Sequence, residues 1–163
     1  VRLYVDAFRA VPVLVLLIVV YYALPFVGLS LSAFASAVLA LAAVSSAYTA
    51  EILRAGIEAV PPGQVEAGRV LGLRFSQILR LIVLPQALRL VIPPLTGNSI
   101  NVLKDTALAS VVALPDLLKQ ATQAQALEAN PSPLIAAALI YLVLLLPLVA
   151  LVRRLEGRLG KGL

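Results

Sequence analysis

Residues 134–152 read LIAAALIYLVLLLPLVALV and run straight into Arg153-Arg154. About 20 predominantly apolar residues coiled as a helix suffice to cross the hydrocarbon of a bilayer. Lipid offers backbone N–H and C=O groups no partner, so a run of this kind must satisfy them within itself, as a helix. The arginine pair then ends the span at a membrane surface.

The rest of the chain agrees with that reading. Of 163 residues 61% are hydrophobic, and the mean hydropathy of +1.02 lies far above the soluble globular norm. Residues 10–29 form a second apolar run, with Pro12 expected in its first turn and Tyr21 and Tyr22 at the far interface. Residues 31–50 form a third, in which Ser32, Ser36 and Ala40 recur every four residues, a small-residue spacing that lets membrane helices approach closely. The short connection over residues 25–30 makes these two an antiparallel hairpin. A further span runs over residues 90–114, interrupted by Pro93-Pro94, Gly97, Asn98, Asn101, Lys104, Asp105 and Thr106. Residues 115–133, with Asp116, Lys119, glutamines, Pro131 and Pro133, read as an amphipathic helix and loop at the outer face.

Composition excludes several kinds of chemistry. Without cysteine or histidine there are no disulfides, no Cys/His zinc sites, no thiol nucleophile and no imidazole acid or base. No metal site, cofactor or catalytic residue is expected, and an integral membrane enzyme fails for want of a nucleophile with an activating base. The net charge of +5 does not signify nucleic acid either, because of where the basic residues lie. Arg2 and Arg9 precede the first span; Arg54, Arg69, Arg74, Arg80 and Arg89 surround the segment 51–89; Arg153, Arg154, Arg158 and Lys161 form the tail. Only Lys104 and Lys119 lie elsewhere. Four spans bring the chain back to the side on which it begins, and all three basic clusters then fall in the cytoplasm, as the positive-inside rule requires. The sequence has no methionine, even at position 1, so its start is expected to be missing.

The cytoplasmic segment has its own pattern. Glu66-Ala67-Gly68, three residues, Gly72, nine residues, Ile82, one residue, Leu84-Pro85 stand between the second and third spans. Val60-Pro61-Pro62-Gly63 is a turn into a helix over Gln64 to Leu71, with Gly72 its natural stop. Ala67, Gly68, Leu71 and Gly72 make a narrow small-sided stripe, assigned to contact with a partner. Phe75 to Val83 then forms a second short helix, expected to end at Leu84-Pro85 because proline restricts its predecessor. Helix, glycine hinge and helix make a knob suited to a groove on another protein. The plainer alternative is an interfacial connector whose arginines meet lipid headgroups. Gly63 and Gly68 superficially suggest a phosphate loop, but Arg69 and Val70 stand where such a loop needs Lys and Ser/Thr.

This spacing resembles the EAA motif of the membrane permease subunits of bacterial ABC importers, with Gly68 replacing the motif's second alanine. Tyr48-Thr49-Ala50-Glu51-Ile52, Arg54-Ala55-Gly56-Ile57, Gly63-Gln64, Leu84-Pro85-Gln86-Ala87-Leu88-Arg89 and Lys104-Asp105-Thr106 are similar to the polar amino-acid uptake branch. Phe8-Arg9-Ala10-Val11-Pro12 resembles that branch's Phe-Arg-Gly-Thr-Pro, with two departures. The resemblance implies an all-α polytopic membrane bundle, four spans here and five in the family, so that an N-terminal span is expected to be missing. It implies a coupling helix within residues 60–85, with Glu66, Ala67, Gly68, Gly72, Ile82, Leu84 and Pro85 serving a cytoplasmic ABC ATPase that does the hydrolysis. It also implies a second permease chain, identical or related, and an extracytoplasmic solute-binding protein docking near residues 25–31 and 115–133, all in the bacterial inner membrane.

Pro94, Asn98, Asn101 and Asp105 lie four, three and four residues apart, on one helical face, with Lys104 and Thr106 beside it. Polar and ionisable groups at this depth usually face a pathway. The prolines and Gly97 allow a broken helix. In relatives of the branch this region contributes to a solute pocket, which here takes Asn98, Asn101, Asp105 and Thr106. Asp105 is the lone acidic residue of the strip, so a neutral polar or acidic amino acid is expected, its ammonium on Asp105 and its polar side chain on Asn98. The alternative is that these groups only hydrogen-bond neighbouring helices. Glu51 and Arg54 form an i, i+3 pair, more suited to a gate or anchor than to ligand binding. A channel or ion-coupled secondary transporter using Asp105 and Glu51 is the competing functional class.

Overall fold

The computed structural model describes residues 2–159, with side chains as far as Arg154, so Lys161 lies outside the described residues. Helix α1, Arg2–Ala10, is followed by α2, Val13–Ile18, which continues through a π turn, Val19–Ala23, and a 3-10 turn, Leu24–Val27. The long helix α3 is Ala33–Glu58; α4, Pro62–Val70, and α5, Phe75–Ile78, follow it. A π turn over Leu79–Val83 leads into α6, Leu84–Asp105, which passes into a 3-10 segment, Thr106–Val112. α7 is Leu117–Glu128 and α8 is Ser132–Leu159. Every regular element among the described residues is helical.

Among the described residues three segments are long and apolar enough to cross a membrane: Ala33–Glu58, Phe75–Val112 and Ser132–Arg154. The stretch at residues 10–29 is divided instead. α1 and Val13–Val27 meet at 96° and qualify only as one bent pair. Pro12 causes the division: it lacks an N–H and pushes Val11 out of the helical region, and its own ψ of 134° is extended. It therefore precedes α2 rather than sitting in its first turn. At about 1.5 Å per residue the arm beyond it reaches only about 22 Å, short of the roughly 30 Å hydrocarbon.

α1 lies along α3, fixed by the Tyr4 hydroxyl, which is 3.1 Å from the Ala43 carbonyl and 2.8 Å from Ser46 Oγ. The hairpin turn between α2 and α3 closes at Gly28, φ 83°, and Ser32 opens α3 by accepting the Ala35 N–H at 3.1 Å. Ser32 is thus a cap, whereas Ser36, Ala37 and Ala40 carry the close packing. Leu17 and Val20 of α2 interlock there with Ala37, Ala40, Ala109 and Val112. In lipid such packing, not hydrophobic transfer, holds helices together. Tyr22 donates to the Val111 carbonyl at 3.2 Å, tying α2 to the end of the 3-10 segment.

α3 and α6 approach closely at Gly56, where a Cβ would fall 2.0 Å from Val91 Cγ1. α6 runs through Pro93 and Pro94 without a break. The irregular backbone expected around those prolines appears beyond Asp105 instead, in the 3-10 segment that ends at Ala113 with φ 59°. α7 is capped by Asp116, whose Oδ1 accepts the Lys119 N–H at 2.7 Å, and packs on α8. α8 also meets α6, and leaves Ile135, Leu139, Val143 and Leu146 more than half exposed, a surface suited to lipid.

Candidate functional site

The segment between α3 and α6 folds on itself. Pro61 and Pro62 start α4, since the first helical N–H groups have no intrahelical partner to lose. It ends at Gly72, φ 74°, where the Leu73 N–H bonds Gly68 O at 3.0 Å and the Gly72 N–H bonds Arg69 O at 2.9 Å. That double bond pattern caps the last carbonyls of the helix and needs a left-handed residue. The chain then reverses into α5, where the Arg74 N–H donates to Gln77 Oε1 at 2.9 Å. Val60, Ile78, Val83 and Ala87 form a small core, with Val65, Leu73, Leu79 and Ile82 around it.

No helix end separates α5 from α6, contrary to the expectation at Leu84-Pro85. The Leu84 N–H reaches Leu79 O, one residue further back than in an α-helix. This wider turn relieves the clash between a proline ring and the preceding carbonyls. Gln86 Nε2 donates to Ile82 O at 2.9 Å and satisfies a carbonyl at the disturbed turn. The knob is therefore continuous with α6.

Within the knob Gly68 is buried: a Cβ there would lie 2.9 Å from Ile82 Cδ1 and 3.1 Å from Ile78 Cγ1. Gly68 and Ile82 thus face one another inside the hairpin, and the small stripe is in part an internal seam. Glu66, Ala67, Gly72, Leu84 and Pro85 are exposed. So are Val70, Leu71 and Phe75, at 87%, 78% and 71%, an apolar tip that the spacing of small residues did not reveal.

A second feature lies along the helices above the knob. A cavity of about 480 Å³ opens between the α1–α2 bend, α3 and α6. From α6 it takes Asn98, Asn101, Lys104 and Asp105; from α3 it takes Ser45 and Tyr48; Arg9 and Val11 come from the bend. Ser45 lies midway along α3. Asn98 Nδ2 points to Ser45 Oγ at 3.4 Å and Thr49 Oγ1 at 3.3 Å, so it bridges α3 and α6 as well as lining the space. Thr106 stands apart from the cavity, its hydroxyl donating to the Leu103 carbonyl at 2.7 Å. Pro94 does not line it either.

From residue 1 to residue 161 the chain matches the profile of the family described as "Binding-protein-dependent transport system inner membrane component". The chain belongs to that family. It is 40% identical over 158 residues to the probable glutamine ABC transporter permease protein GlnP of Bacillus subtilis (strain 168), covering 94% of this chain and 72% of the relative. To the probable glutamine ABC transporter permease protein GlnM of the same organism it is 42% identical over 160 residues, covering 98% and 74%. A solved structure described as "Crystal structure of an amino acid ABC transporter with histidines" superposes with a TM-score of 0.90 at 40% identity, over 96% of this chain and 74% of that one.

The permease is a multi-pass membrane protein, and its helical bundle is that of the family. Its cavity gathers Asn98, Asn101 and Asp105, and adds Val11 and Ser45, which the sequence pattern did not place there, and Arg9, which that pattern grouped with the cytoplasmic arginines. The signal was present for Arg9, in Phe8-Arg9-Ala10-Val11-Pro12, but its meaning depends on the 96° bend. Glu51 and Arg54 pair as expected and extend into a network: Arg54 also binds Glu58 at 2.6 Å, and Arg9 lies 3.5 Å from Glu51.

Proposed function

We propose that this permease is the membrane subunit of an ATP-driven amino-acid importer in a bacterial inner membrane, with the basic tail and the α4–α5 knob in the cytoplasm. The observation that carries the reading is that the knob and the polar cavity share one helix. α5, its π turn and α6 are continuous, so displacement of the knob is delivered to the helix bearing Asn98, Asn101 and Asp105. A cytoplasmic ATPase grips the knob through Glu66, Ala67 and Gly72 together with the apolar tip at Leu71 and Phe75. Gly68 and Ile82 hold the hairpin closed behind that surface, and Leu84 and Pro85 connect it to α6. This chain hydrolyses nothing itself.

One chain encloses little, so a second permease subunit completes the pathway, and a solute-binding protein delivers substrate to residues 25–31 and 115–133. The cavity's side chains bring one carboxylate, Asp105, and two cations, Arg9 and Lys104, to one space. That balance favours a neutral polar or acidic amino acid over a cationic one, because excess positive charge repels arginine or lysine. Two of its relatives are probable glutamine permeases and a third is an arginine permease, so the charge balance of the cavity, not the relatives, carries this preference. The test is reconstitution with ATPase partners and binding protein: Glu66→Ala or Gly72→Pro should lose ATPase association and uptake together. Normal uptake with no ATPase present would overturn the reading.

A further inference from the structure

The two cations of the cavity are not equivalent. Lys104 also lines an apolar groove against Tyr141, Leu142 and Leu145 of α8, so it is shared between two surfaces. Arg9 sits in the last turn of α1, and the cavity wall continues directly from it through Ala10, Val11 and Pro12. Its guanidinium carbon lies 5.6 Å from the centre of the Tyr48 ring, itself part of the wall. That distance is within the reach of a cation–π contact, which gives a planar cation a shelf.

The acidic neighbour of Arg9 is already engaged. Both oxygens of Glu51 accept from Arg54, through Nε at 3.0 Å and through Nη2. Arg9 Nη1 is 3.5 Å from Glu51 Oε1, beyond a good charge-assisted hydrogen bond. Among the described residues the Arg9 guanidinium makes no hydrogen bond within the protein. It shares its counter-ion with Arg54, its plane is supported, and its fork of donors is unspent at the wall of the cavity.

We infer that Arg9 binds the α-carboxylate of the transported amino acid, on the reading that the cavity is the solute pocket. A guanidinium fork matches a carboxylate with two parallel N–H···O bonds, which a lysine ammonium cannot reproduce. Asp105 and Asn98 on α6 are left for the ammonium and the side chain. Glu51 acts as a counter-ion that keeps Arg9 in position without consuming its donors. The bend at Pro12 then has a purpose, since it carries the end of α1 into the cavity wall.

The test is binding to the complete permease–ATPase complex in lipid nanodiscs, without the solute-binding protein, whose own selectivity would mask the effect. The twenty amino acids are screened by calorimetry, and the best binder is compared with its α-carboxamide. The wild-type complex should prefer the acid by about tenfold or more, the discrimination a charge-assisted pair supports. Arg9→Gln should weaken binding of the acid by a similar factor, with little change for the amide, and Arg9→Lys should retain part of the preference. Equal loss for acid and amide in both variants, or unchanged acid binding in Arg9→Gln, overturns the assignment. So does loss of the preference in Lys104→Gln but not in Arg9→Gln. If the wild-type complex binds none of the amino acids while still importing one, the pocket reading itself falls and takes this inference with it.

Discussion

A methyl group at Gly56 would stand 2.0 Å from Val91 Cγ1, which must shift to admit it, while the Ala87 carbonyl at 3.5 Å would be in ordinary contact. Valine is stiff at χ1, so its methyl cannot swing aside freely. At Gly68 the obstructing atoms are Ile82 Cδ1 at 2.9 Å and Ile78 Cγ1 at 3.1 Å, the nearer being the far end of a flexible side chain. Gly56→Ala should therefore cost about 1–3 kcal/mol, as overpacking does, and Gly68→Ala distinctly less. Thermal unfolding of the purified protein measures both, and Val91→Ala should rescue most of the Gly56→Ala loss in a double-mutant cycle. Equal destabilisation by the two alanines would contradict the close helix approach at Gly56. Asn98 calls for a different experiment. Asn98→Asp puts a second carboxylate in the cavity while leaving an acceptor for the Ser45 and Thr49 hydroxyls. Competition uptake should then show a shift towards cationic amino acids. Intact transport with unchanged preference would sink the pocket reading.

At the level of elements, the knob separates fold from contact. Its inner face, Gly68 against Ile78 and Ile82, makes the hairpin, whereas Leu71 and Phe75 lie outside the small core and are exposed. Leu71→Ser with Phe75→Ser should abolish co-purification of the ATPase while leaving the unfolding midpoint of the isolated permease nearly unchanged. A large fall in that midpoint would show instead that the tip is packed within the membrane subunit. A second element tests backbone strain: α7 ends at Ala129 with φ 51°, a left-handed conformation that costs a residue with a Cβ about 1–2 kcal/mol. Ala129→Gly should raise stability by up to about 1 kcal/mol, since glycine's greater freedom in the unfolded chain offsets part of the relief. The elements also show where local sequence rules reach their limit. Gly72 marked the end of α4 because the left-handed cap is a local requirement, readable from one residue. Pro85 misled because a π turn can absorb a proline, and that choice depends on how α5 and α6 pack, which no window of sequence contains.

Across the whole molecule, the apolar runs made a helical membrane protein legible, because length and hydropathy decide that question alone. The α6 side of the cavity was legible too, as Asn98, Asn101 and Asp105 follow from helical periodicity on one element. The opposite wall was not, since Arg9 reaches the cavity only through the bend at Pro12, and Ser45 only through the packing of α3 on α6. The two possible energy sources assign Asp105 different roles. If Asp105 carried a proton or sodium ion, Asp105→Asn would uncouple uptake from the ion gradient while leaving substrate affinity largely intact. If it holds the substrate's ammonium, the same change should weaken amino-acid binding by about tenfold or more, the loss expected for a hydrogen-bonded charge. Proteoliposomes containing the permease, ATPase and binding protein distinguish the two. Uptake should require hydrolysable ATP, persist when ionophores collapse the proton and sodium gradients, and show an Asp105→Asn defect in substrate affinity. Uptake that stops with the ionophores and continues without ATP would instead assign the acidic residues to ion coupling, and would leave the knob joined to α6 without a motor to move it.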